Sequence, residues 1–232
     1  MQQPTTPAPK PQGAKPRPPE PPPEFQEGAI ATMDAAGLIR ILKDADSSEF
    51  QKAKACMRAG EQGDKEAVSA LAALLSNERL GMYARYGLEP IADPSAGEAL
   101  RAALPKLKGN LLIGVINSLG KRRDAKAAPA LVRMLADPNP DVARAAAAAL
   151  GSIAEPTTLK SLQAALAKAT GLTKMAYADA CLVFAERLMQ NGKRDQAMAL
   201  YTALSAPDLP KPARLAAMSG IIREETSLTR PR

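Results

Sequence analysis

The sequence predicts an all-α fold, an α-solenoid (superhelix) of five to six antiparallel helical hairpins, on three observations. Acidic residues recur at Asp64, Asp93, Asp124 and Glu155, with spacings of 29, 31 and 31 residues. Each is followed by an apolar pattern at i, i+3, i+4 helical spacing: KEAVSALAALL, PSAGEALRAAL, AKAAPALVRML and PTTLKSLQAAL. The later ones are preceded by a partner helix: GMYARYGLEPI, LIGVINSLGKR and VARAAAAALGS. A two-helix unit of roughly 30 residues cannot bury its own apolar faces, so it must stack on its neighbours.

Composition agrees. The chain is 46% hydrophobic but only 3% aromatic, with no Trp, which suits Ala- and Leu-rich helices packed closely on one another. No run approaches the ~18 apolar residues that span a bilayer, so no membrane insertion is expected. Histidine is absent. That removes His-based acid–base catalysis, Ser-His and Cys-His nucleophiles and the commonest metal ligand. No enzyme activity, cofactor or metal is expected. Cys56 and Cys181 each lie inside an apolar helical pattern and read as buried free thiols.

The elements follow in order. Residues 1–32 read as a Pro-rich disordered arm, because residues 1–24 hold 10 of the 21 prolines and almost nothing apolar. Lys10, Lys15 and Arg17 balance Glu20, Glu24 and Glu27, which leaves the net charge of +7 to the body. The arm reads as a spacer, with a ligand for a proline-binding groove as the alternative. QQPTTPAPKPQ is similar to the low-complexity segment that follows a cleaved signal peptide, so a periplasmic or otherwise exported protein is expected, with a cytoplasmic one as the alternative.

Residues 33–170 carry the repeats. In DPNPDVARAAAAALGSIAEP, Asn139 is placed to cap a helix, Pro140 to open it, and Asp141 to favour its positive end. The alanine run then lets neighbouring helices approach closely. Arg144 is expected to pair with an Asp of the turn. Residues 171–226 change period, and the polar residues 227–232 read as a flexible tail.

These residues carry a resemblance. LVRMLADPNPDVARAAAAALGSIAEP resembles a HEAT repeat of the short type seen in phycobilisome-lyase-like proteins, through Leu131, Leu135, Asp137, Pro138, Arg144, Ala149, Leu150 and Gly151. The resemblance covers roughly 34–170 and implies second helices lining a concave, ligand-facing side. Gly192, Ala197 and Tyr201 resemble a tetratricopeptide unit, and KPARLAAMSGIIREE a last HEAT-like helix that caps the stack.

Two clusters stand out as candidate sites. Arg85, Tyr86 and Glu89 lie on one second helix, and Asn117 stands one repeat after Tyr86, which suits a protein-binding hot spot. Lys106, Lys108, Lys121, Arg122, Arg123 and Lys126, with Arg101, form a candidate basic edge opposed by Asp124 alone. The expectation is a non-enzymatic scaffold, monomeric, that binds another protein on its concave face. The alternatives are a nucleic-acid-binding solenoid using the basic edge, and a lyase-like chaperone acting on a partner protein.

Overall fold

A computed structural model describes residues 28–229, with side chains to 226. Residues 1–27 and 230–232, most of the expected arm and the end of the expected tail, lie outside the described residues. Within them the chain forms twelve α-helices and no strand. These make six hairpins: α1 (Ala35–Lys43) with α2 (Glu49–Gln62), α3 (Val68–Ala73) with α4 (Gly81–Leu88), α5 (Pro94–Ala103) with α6 (Gly109–Lys121), α7 (Ala128–Met134) with α8 (Pro140–Ile153), α9 (Leu159–Lys168) with α10 (Gly171–Gln190), and α11 (Arg194–Leu204) with α12 (Lys211–Thr229).

The repeated acids sit where first helices begin. Asp93 accepts a hydrogen bond from the Ser95 amide (2.9 Å) and caps α5 directly. Asp64, Asp124 and Glu155 each precede a single 3-10 turn that leads into α3, α7 and α9. A second register lies inside. Leu71, Leu100, Leu131 and Leu162 recur at 29, 31 and 31 residues, one on each of α3, α5, α7 and α9, and all are fully buried. Each stabilises the fold by about 2 kcal/mol through area removed from water. Leu88, Leu119 and Leu150 do the same on second helices, and Cys181 stands one repeat later in the same buried position. Burial pushes the thiols of Cys56 and Cys181 up to about 12, so neither is poised to react.

The α8 start is as expected: Asn139 accepts from the Asp141 amide (2.9 Å), with Pro140 in the first turn. Arg144, expected to pair with an Asp of the turn, pairs with Asp141 in the first turn of its own helix. The alanine run works with two glycines. A Cβ on Gly120 would stand 2.9 Å from the Ala149 Cα, and one on Gly151 would collide with the Ala180 carbonyl oxygen. Backbone therefore lies on backbone on both flanks of α8, against α6 and α10. Only Ala148 of the run Ala145–Ala149 is exposed.

Three expected boundaries move. Gly28–Thr32, assigned to the arm, is a 3-10 helix whose Ile30 is buried against α2. The boundary at 170 falls inside the hairpin of α9 and α10. α10 packs on α8 and α9 as a second helix of the array, and its 20-residue length also gives α11 a surface. The helix α12 runs to Thr229, into the segment read as a tail.

Candidate partner-binding face

The spacing that aligns the acids also aligns the second helices. Met57, Tyr86, Asn117, Ala148 and Asp179 follow one another at 29, 31, 31 and 31 residues on α2, α4, α6, α8 and α10, and all five are exposed. Tyr86 is 48% exposed, and Met57 and Met82 are 42% exposed. One turn earlier on α4, Met82 adds a third large apolar group beside this row. Tyr83, on another side of the same helix, packs on the core instead.

Arg85 and Glu89, expected beside Tyr86 for a partner, turn to the next repeat. The Arg85 guanidinium donates to the Gly114 carbonyl (3.1 Å) and the Ser118 hydroxyl (3.4 Å). A Cβ at Gly114 would stand 2.5 Å from that guanidinium, so a glycine makes its seat. The Glu89 side chain is 7% exposed. It accepts from the Ser118 hydroxyl (2.8 Å) and the Lys121 ammonium (2.6 Å). That hydrogen bond, and then the attraction of the Glu89 charge, holds the Lys121 ammonium above the usual lysine range. Arg122 donates to the carbonyls of Leu88 (2.8 Å), Glu89 (2.8 Å) and Ile91 (2.6 Å), closing the end of α4 where a cation suits the helix dipole. The four expected site residues thus divide. Tyr86 and Asn117 face solvent, while Arg85 and Glu89 clamp α4 to α6.

The family model described as HEAT repeats matches residues 97–180, from α5 into α10. Over those residues the chain is similar to HEAT repeats, and its array of helical hairpins is consistent with a HEAT-repeat protein. No curated protein matches it. The matched HEAT repeats run past position 170, in keeping with α10 as a member of the array.

The hairpin geometry breaks up the expected basic edge. Lys106 and Lys108 lie at the turn inside the third hairpin, whereas Lys121, Arg122, Arg123 and Lys126 lie at the turn that leaves it. The 13 residues of α6 separate these two ends by about 18 Å. Three of the cations also have structural duties: Lys121 on Glu89, Arg122 on α4, and Arg101 in an ion pair with Asp124. Lys106, Lys108, Arg123 and Lys126 remain as exposed cations divided between two ends.

Tyr86, Glu89, Pro90 and Lys121 line a pocket of about 480 Å³ on the exposed side of this joint. The partner helix, read through Pro90 as GMYARYGLEPI, ends before that proline at Leu88. The roles of Gly114 and Ser118 were not visible in the sequence, although a glycine and a serine in the apolar pattern of α6 were a signal that something polar lies against them.

Proposed function

We propose that this chain is a non-enzymatic scaffold that holds another protein against the exposed row of its second helices, with Tyr86 as an anchor. HEAT repeats generally mediate protein–protein interaction. The observation that carries the reading is the row Met57, Tyr86, Asn117, beside Met82, on three successive second helices. It joins apolar area to an aromatic ring with a polar tip, the composition of an interface centre. The pocket beside Tyr86 offers room for one partner side chain, with the Glu89–Lys121 pair at its wall. Division of the exposed cations between two hairpin ends weighs against a continuous track for a nucleic-acid backbone.

The test uses photo-crosslinking residues placed at Met57 and Asn117, followed by affinity measurement on the protein they capture. Tyr86→Ala is expected to weaken that complex by about 2 kcal/mol without changing helical content. Arg123→Ala with Lys126→Ala should change mainly the rate and salt dependence of association. Binding untouched by Tyr86→Ala but abolished by the double change would move the site to the inter-repeat turns.

A further inference from the structure

Among the described residues, α12 carries an exposed seam. On the side of α12 that faces the body, Ala213 and Ala217 are buried and Gly220 lies against the Tyr201 ring. On the opposite side, Lys211, Leu215, Met218, Ile222 and Glu225 are all exposed. Their spacing of four, three, four and three residues is that of a helix–helix seam rather than of a solvated face. The three apolar members are 53%, 49% and 62% exposed. Two hydroxyls border the seam, and both are turned onto their own helix. Ser219 donates to the Leu215 carbonyl (2.9 Å) and Thr226 to the Ile222 carbonyl (2.5 Å). Covering the seam therefore strands neither donor. The flanking cations are held elsewhere, Arg214 on the Pro207 carbonyl and Arg223 on Glu186, so they do not fold over it.

We propose that this seam binds a second copy of the chain, α12 against α12 in antiparallel arrangement about a two-fold axis near Met218. The charges at its two ends select that occupant. Lys211 lies seven residues before Met218 and Glu225 seven residues after it. An antiparallel copy brings each Lys211 to the partner's Glu225, with Leu215 near the partner's Ile222 and Met218 on its equivalent. A parallel pair would set like charges together at both ends. A self-complementary surface of this kind closes a dimer and leaves no open valence. This goes beyond the partner-binding row and does not depend on it.

Sedimentation equilibrium of the full chain, from micromolar to hundreds of micromolar, tests the proposal. The expected result is a monomer–dimer equilibrium. Met218→Glu should return the mass to monomer at every concentration and melt at the temperature of the wild type measured at concentrations where it is monomeric. Lys211→Glu should raise the dimer dissociation constant roughly tenfold, and adding Glu225→Lys to it should restore the original value. The exchanged pair keeps the test decisive if Met218→Glu disturbs folding. A chain that stays monomeric throughout overturns the proposal. So does a dimer that survives Met218→Glu, or one that the charge exchange fails to restore.

Discussion

Gly151→Val is expected to destabilise the protein by about 3 kcal/mol, read as a fall in the chemical-denaturation midpoint. The added side chain has nowhere to go. Its Cβ would meet the carbonyl oxygen, carbonyl carbon and Cα of Ala180, which are main-chain atoms in the middle of α10. A flexible side chain could rotate away, but a helix backbone with its own hydrogen bonds cannot. Relief requires α8 and α10 to separate, and that opens the packing around Phe184 and Leu150, both fully buried. Ala147→Leu probes the same crowding from a fully buried position of the run, with an expected cost of about 1–3 kcal/mol. Ala148→Leu, on the exposed row, should stay within about 0.5 kcal/mol. Equal losses at 147 and 148 would show that helix propensity, not approach, explains the alanines.

Arg122→Ala is expected to cost about 2 kcal/mol, read in the same way. Its guanidinium serves three carbonyls at the end of α4, a helix of only eight residues stopped by Pro90. Removing it withdraws a charged donor from all three and unties the Glu89 backbone from the next repeat. Arg122→Lys should recover part of the loss, because an ammonium also carries its donors on one nitrogen, as Nη1 does here, but a side chain one bond shorter sets it back from the three carbonyls. A neutral Arg122→Ala would mean that water serves those carbonyls equally well.

Much of this was legible in the sequence for a physical reason: the fold is a one-dimensional stack, and its period appears in the residues that must recur. The acid at each turn, the leucines of the first helices and the Asn139 cap all follow from local rules that one chain displays. The exposed position shared by Tyr86 and Asn117 followed from the same period. What did not follow was anything decided between repeats. Arg85 and Glu89 look like surface groups on a helix of 3.6 residues per turn, and only the seat at Gly114 and the hydroxyl of Ser118 turn them inward. The basic edge looked continuous because residues 106 and 126 are close in sequence, yet a whole helix stands between the two ends of its hairpin. Ile30 shows a third kind of miss, a single apolar residue beside a Pro-rich stretch that finds a place on α2.

The joint between α4 and α6 has a mechanical consequence. Three other pairs of neighbouring second helices lie backbone on backbone: Gly60 against Gly87, Gly120 against Ala149, Gly151 against Ala180. Such contacts are short in range and indifferent to dissolved ions. Between α4 and α6 the spacing is held by an arginine, a glutamate and a lysine, with fewer close main-chain approaches than in those three pairs. This joint is thus held by side chains, and its Glu89–Lys121 pair has one buried and one exposed member, so removing the ammonium loosens it without opening the main-chain contacts on either side. Lys121→Met should broaden the distance distribution between probes placed on α2 and α8 and leave the one between α6 and α10 unchanged. Tyr86 stands at the edge of that joint, so the same side chains fix its position relative to Asn117 in the exposed row.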